Sequence, residues 1–177
     1  EWVISLQDGK KIKSKVLINA SGPWINDTLN KNIKIKSKNK IRLVKGSHII
    51  TKKLYKEDVA FTFQNTDKRI IFVIPYKKHF SLIGTTEVEV KSPENNGISN
   101  QEIQYLIKSV NNYLKKQISK KDIVDTYSGI RPLIEDFKEA SKVTRDYVFD
   151  LHIVKKLPLL NIYGGKLTTY RKLSEKV

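Results

Sequence analysis

Lys166 follows two adjacent glycines in the stretch NIYGGKLTTYRKL (161–173), and Thr168 and Thr169 then open a segment with helical patterning. Glycines let a backbone come close to a bound group, helix-starting N–H groups favour anions or electron-rich oxygens, and a lysine adds a full positive charge. The chemistry suggested is stabilisation of negative charge, although the same residues also read as a tight turn before a helix. Ala20, Ser21, Gly22, Pro23 and Trp24 of NASGPW form a second small-residue turn after an apolar run. It is either a plain strand-to-helix connection or another place where a group lies against the backbone. In TYSGIRPL, Arg131 stands between Ile130 and Pro132. A guanidinium in apolar surroundings needs a partner or a ligand, and Pro132 keeps Arg131 extended, which aims it. Glu135 and Asp136 are the alternative partners within the chain. His48, in the strand-like run VKGSHIIT, is a candidate general base or an ordinary sheet histidine. His79, in a basic turn, and His152, in a late strand, are weaker candidates.

These residues need elements to hold them. The opening WVISLQDGKKIKSKVLINASG reads as a strand, a turn at Asp8-Gly9, and a return into the apolar run VLINA. WINDTL predicts a short helix with Pro23 near its first turn, and residues 31–40 a polar surface connection. Four strand-like runs follow, IRLVKGSHIIT, VAFTFQ, RIIFVIPY and FSLIGTTEV, with separators short enough for one antiparallel sheet. Ser99, with Glu102 three residues on, predicts a capped helix whose stripe of Ile103, Leu106, Ile107, Val110 and Leu114 packs on that sheet. DIVDTYSGIRPLIEDF, TRDYVFDLHIV and LPLLNIYGG then lead into a last helix, KLTTYRKLSEKV.

Composition bounds the function further. The 177 residues are 39% apolar, enough for one ordinary core or parts of two. With no cysteine and only His48, His79 and His152, thiolate and histidine-rich metal sites are not expected. No apolar run approaches the roughly 20 residues that cross a bilayer. The chain has no methionine and opens on EWVISL, a strand already under way, so it is expected to belong to a larger protein. A net charge of +16 raises a basic nucleic-acid-binding module as an alternative. Against it, only Arg42, Arg69, Arg131, Arg145 and Arg171 are arginine, and lysine is spread through every segment. The same charge suits contact with anionic lipid.

NASGPW, VKGSHII, IPYKKHFSLIGTTE, SGIRPL, TRDY and YGGKLTTYRKL occur in that order, and together they resemble the central part of the FAD-dependent, quinone-linked glycerol-3-phosphate dehydrogenases. The resemblance covers essentially the whole chain and about the middle third of such a protein. It implies an α/β plus α+β fold: part of a D-amino-acid-oxidase-like FAD-binding domain with an inserted antiparallel-sheet substrate domain. Residues 1–42 and 126–177 would then belong to the FAD domain and residues 43–125 to the substrate domain. By motif, Ala20, Ser21, Gly22 and Trp24 lie near the cofactor, and Gly165, Lys166, Leu167 and Thr168 meet the pyrimidine end of the isoalloxazine. Arg131, Arg145 and Lys166 resemble the cationic substrate-binding residues, and His48 the base; His48, Arg131 and Lys166 form the catalytic set. The implied reaction converts sn-glycerol 3-phosphate into dihydroxyacetone phosphate, with hydride passing to FAD and electrons to a membrane quinone. It implies a cytoplasmic protein held peripherally on the inner membrane, working with the remainder of its own chain, and leaves a homodimer open. No G-x-G-x-x-G occurs in the chain, so the ADP half of FAD is expected to be gripped elsewhere, and the 177 residues alone to bind FAD weakly or not at all. A glycine- or sarcosine-oxidase-like enzyme and a non-catalytic interaction domain remain alternatives.

Overall fold

A computed structural model describes residues 1–37, 39–94, 96–134 and 146–177. The chain runs through β1 (Trp2–Ser5), β2 (Lys11–Ser14) and β3 (Leu17–Asn19) into a helical stretch. That stretch starts as a 310 turn (Gly22–Trp24), becomes α-helical in α1 (Ile25–Asp27) and widens into π turns over Thr28–Ile33. Strands β4 (Ile41–Lys52), β5 (Phe61–Gln64), β6 (Ile70–Tyr76), β7 (Phe80–Gly84) and β8 (Val88–Val90) precede helix α2 (Asn100–Asn111). A second 310 turn (Lys120–Asp122), β9 (Ile123–Ile134), β10 (Tyr147–Val154), β11 (Leu157–Gly164), a third 310 turn (Leu167–Thr169) and α3 (Tyr170–Lys176) complete it. Residues 1–43 with 131–177 form one compact unit, and residues 44–130 form another.

In the first unit, β1 and β2 are the expected hairpin, with Gly9 at φ 82 and Asp8 Oδ1 accepting from the Lys10 N–H at 3.1 Å. A three-stranded sheet has the order β10-β11-β3, in which β10 and β11 are antiparallel and β11 and β3 parallel. Only two residues, Lys155 and Lys156, join β10 to β11, at φ 48 and 68. The right-handed twist of the strands demands that left-handed turn, although lysine is a costly residue to place in it. One face of the sheet carries Leu159 and Tyr163, which pack with Ile25 and Leu29 of the helical stretch. The helix expected over WINDTL continues to Ile33 and ends where Lys34 turns left-handed at φ 60, so residues 31–33 are helix rather than connection.

In the second unit the sheet has the order β5-β6-β7-β4-β8, and β9 also pairs with β4. β5–β6, β6–β7 and β4–β7 are antiparallel. FSLIGTTEV therefore splits into β7 and β8, and the sheet has six strands rather than four. Alternation along β6 buries Ile71 and Val73 and leaves Ile70, Phe72 and Ile74 on the other face. Ile49, Ile71, Val73 and Ile83 meet Ile103, Leu106, Ile107 and Val110 of α2 in one core, each fully buried leucine or isoleucine contributing about 1.5–3 kcal/mol. Leu114 lies past the helix end but packs against the same core.

Candidate functional site

Two of the turns singled out above leave the carboxyl ends of neighbouring parallel strands. Leu17, Ile18 and Asn19 of β3 lie in register with Leu159, Leu160 and Asn161 of β11, so NASGPW and NIYGGK emerge side by side. Open parallel sheets present ligands at this end, because backbone groups there are not consumed by the ladder. The turns are also tied to each other through two buried asparagines. Asn19 Nδ2 donates to Asn161 Oδ1 at 3.2 Å and to the Ile25 carbonyl at 3.2 Å, while its Oδ1 accepts from Ser21 Oγ at 2.7 Å. Asn161 Nδ2 donates to the Asp150 carbonyl at 3.3 Å, and Ser21 Oγ lies 3.1 Å from Thr28 Oγ1. Ser21 is thus fixed by hydrogen bonds on two sides, while Ala20 and Trp24 stay exposed.

The glycines of the two turns differ. Gly22 has φ +56, and nothing lies within 4 Å of where a Cβ would stand, so its backbone borders open space. Gly164 has φ +73, and a Cβ there would sit 2.5 Å from the Asp146 carbonyl oxygen; at Gly165, φ +96, it would sit 3.1 Å from Leu173 Cδ1. What approaches Gly164 is therefore the chain's own backbone at the start of β10. Lys166, Leu167 and Thr168 follow, all exposed, with the Lys166 carbonyl accepting from the Thr169 N–H at 3.0 Å and from Thr169 Oγ1 at 3.1 Å. Arg131 lies within β9, half-buried, with its Nη1 sealed from solvent. Arg145, together with Glu135 and Asp136, lies outside the described residues.

His48 belongs to the second unit, on β4, directly opposite Gly84 of β7. A Cβ on Gly84 would fall 2.0 Å from His48 Cδ2 and 2.5 Å from Nε2, so the imidazole occupies the space a side chain would need. Tyr127 of β9 stacks on the ring, with centroids 4.6 Å apart and planes 8° from parallel. Burial, and then the neighbouring Tyr76, push the Tyr127 hydroxyl above its ordinary value, so the stacking ring stays uncharged through neutral pH. The preceding residue is clamped. Ser47 N–H donates to Thr86 Oγ1 at 2.9 Å, its carbonyl accepts from the Thr86 N–H at 3.3 Å, and its Oγ donates to Glu102 Oε1 at 2.8 Å.

Glu102 gathers this unit's polar groups. As the expected capping residue of α2, its Oε2 accepts from the Ser99 N–H at 2.8 Å. It also forms a buried ion pair with Lys45 at 2.9 Å and accepts from Thr86 Oγ1 at 2.8 Å. Burial alone would raise its pKa, but the Lys45 ammonium and the hydrogen bonds from Ser99, Ser47 and Thr86 outweigh that and hold the carboxyl at about 2. Lys45 Nζ reaches the Gly97 carbonyl as well, at 2.8 Å.

The sequence reading missed Asn19, Asn161, Gly84 and Tyr127. Signals existed for three of them. An asparagine inside each of the apolar runs VLINA and LLNIY must be satisfied once buried, and a glycine in the strand FSLIG marks a close approach. Nothing in TYSGIRPL distinguishes Tyr127 as a stacking partner.

Turns at the carboxyl ends of a parallel pair in one unit, and a sheet covered by a capped helix in the other, define a class. The sequence pattern of the FAD-dependent oxidoreductases matches residues 1–171, and the chain belongs to that family. The D-amino-acid-oxidase-like architecture expected from the motifs is the one found. Within the family, the chain is 46% identical to the aerobic glycerol-3-phosphate dehydrogenase of Escherichia coli (strain K12), over 98% of this chain and 36% of that protein. It is 40% identical to the D-erythritol 1-phosphate dehydrogenase of Brucella abortus (strain 2308), over 99% of this chain and 36% of that one. The chain thus spans little more than a third of the length of these relatives. A glycerol-3-phosphate dehydrogenase from Bacillus halodurans, solved complexed with FAD, superposes with a TM-score of 0.74 at 26% identity, over 94% of this chain and 32% of that one.

Proposed function

We propose that the whole protein oxidises the secondary alcohol of a polyol phosphate, glycerol 3-phosphate first of all, with FAD as its cofactor and a membrane quinone as the final electron acceptor. The observation that carries this reading is the pair of turns at the ends of β3 and β11, locked together by Asn19 and Asn161. Their residues suit a flavin ring. Gly22 leaves open space against a left-handed backbone, and Asn26 Oδ1, sealed from solvent, meets no hydrogen-bond donor among the described residues. Ala20, Ser21, Gly22 and Trp24 would line one side of the ring, and Gly165, Lys166, Leu167 and Thr168 the other. Bound FAD supplies the hydride acceptor, chemistry that no side chain offers.

The chain's own residues bind, orient and move the proton. Lys166 places a positive charge where electron density accumulates, which lowers the barrier by preorganised electrostatics. Arg131 and Arg145 hold the phosphate, the planar guanidinium being suited to paired contacts with its oxygens. His48 accepts the proton of the substrate hydroxyl. On this reading residues 1–42 and 126–177 belong to the FAD domain, which also lends Arg131 and Arg145 to the substrate, and residues 43–125 form the substrate domain. The protein works at the cytoplasmic face of the membrane as a peripheral protein. No helix among the described residues is long and apolar enough to cross a bilayer, and the net charge of +16 favours anionic lipid.

The 40% identity to a D-erythritol 1-phosphate dehydrogenase makes a longer polyol phosphate the second reading. Steady-state assays of the full-length protein with a soluble quinone analogue decide between them. Turnover with glycerol 3-phosphate at a higher kcat/KM than with D-erythritol 1-phosphate is expected. Turnover with glycine or sarcosine and with neither phosphate would overturn the proposal.

A further inference from the structure

The inference concerns what orients His48, and it rests on the reading of that residue as the base. We propose that Tyr127 is a positioning residue: with the bare backbone of Gly84 it forms a slot that fixes the plane of the His48 imidazole. A base must keep its lone pair within hydrogen-bonding reach and direction of the proton it removes. Rotation of an imidazole about its outer torsion is soft and roughly two-fold, so strand geometry alone does not set the ring's plane. Two contacts in this unit do. Gly84 admits the Cγ–Cδ2–Nε2 side of the ring to within 2.0–2.6 Å of where a Cβ would stand. Tyr127 covers a face at 4.6 Å and 8°. Behind them, the hydrogen bonds from Ser47 to Thr86 and Glu102 hold the strand from which the ring projects.

A purely structural role accounts poorly for Tyr127. Its side chain is not in the core beneath α2, and the residue is 48% exposed, so its ring stabilises the unit little beyond the stack itself.

The test uses the full-length protein loaded with FAD, with histidine labelled selectively at Cε1 and the His48 resonance assigned by its loss in His48→Gln. Tyr127→Ala is expected to move that resonance as the ring current disappears, and to lower kcat on the order of 10- to 100-fold with KM for glycerol 3-phosphate nearly unchanged. Tyr127→Leu, which keeps bulk on the strand, should lose as much, whereas Tyr127→Phe, which keeps the ring, restores kcat to within about threefold. A moved His48 resonance with unchanged kcat in Tyr127→Ala and Tyr127→Leu overturns the positioning role while leaving the base in place. Full activity in His48→Gln instead overturns the reading of His48 on which the slot depends.

Discussion

Gly164 and Gly22 share a left-handed backbone, yet their substitution should have different consequences. At Gly164 a methyl group meets the Asp146 carbonyl at 2.5 Å, and that carbonyl belongs to backbone that cannot swing aside. Gly164→Ala therefore combines a clash with the roughly 1–2 kcal/mol that left-handed geometry costs an alanine, and thermal unfolding of the full-length protein should show a midpoint lowered by several degrees. At Gly22 the space is open, so Gly22→Ala costs only the backbone term. If a flavin ring lies there, Gly22→Ala should lose bound FAD, read from the visible absorbance after dialysis, while its midpoint, compared without FAD, falls by less than that of Gly164→Ala. Equal loss of stability in the two variants would show that the distinction is wrong. Arg131 provides a separate measurement. A charged hydrogen bond to substrate contributes about 1.5–3 kcal/mol net, so Arg131→Ala should reduce kcat/KM for glycerol 3-phosphate about 10- to 100-fold. Unchanged kcat/KM would remove Arg131 from the phosphate site.

Helix α2 is tied to its sheet by a charge as well as by its apolar stripe. Glu102 caps the helix and meets Lys45 of β4 in the interior, where its carboxyl is held at about 2 against an ordinary 4.5. Because the folded-state value lies below the unfolded one, the associated stability is complete above pH 4.5 and disappears as the pH falls towards 2. That difference corresponds to about 3 kcal/mol, and denaturant titrations across this range should show an acid-labile component in the parent that Glu102→Gln lacks. At neutral pH, Glu102→Gln leaves the Lys45 ammonium buried without its counter-charge and should cost about 3–5 kcal/mol, part of which the Lys45→Met, Glu102→Gln pair recovers. A single variant as stable as the parent would mean that water or a rearranged Lys45 compensates the charge. The β10–β11 hairpin offers an opposite kind of change. Its two-residue turn forces Lys155 and Lys156 to φ 48 and 68, a geometry that asparagine and glycine adopt with far less strain. Lys155→Asn with Lys156→Gly should raise the thermal midpoint, by about 1 kcal/mol in stability, without altering activity. A lowered midpoint would mean that the lysine side chains do more than turn the chain.

Across the whole molecule, what the sequence made legible was local. The capping box at Ser99 and Glu102, the Asp8-Gly9 hairpin and the apolar stripe of α2 each depend on residues a few positions apart, where helical and strand periods speak directly. The Asn19–Asn161 bond, between residues 142 positions apart, and the slot around His48 depend on which strands become neighbours, and neither period nor composition encodes that pairing. Lysine in left-handed turns also removed the asparagine and glycine signals by which such turns are ordinarily read. The same division between local and distant contacts governs the cofactor. On the proposed reading the two turns at the ends of β3 and β11 address one end of FAD, whereas the dinucleotide fingerprint that would cradle its ADP half does not occur in these 177 residues. A ligand held at one end gives up most of the affinity that joining two sites in one molecule confers. The full-length protein should therefore stay yellow through extensive dialysis, while the 177-residue chain, shown by circular dichroism and a thermal transition to be folded, should lose its flavin. Residual weak binding to the folded chain should be detectable by quenching of flavin fluorescence, and should be as strong for riboflavin as for FAD, because neither phosphates nor adenine would find a partner. A folded 177-residue chain that retains stoichiometric FAD after dialysis, or strongly prefers FAD to riboflavin, would place the adenine grip within these residues and overturn this division of the site.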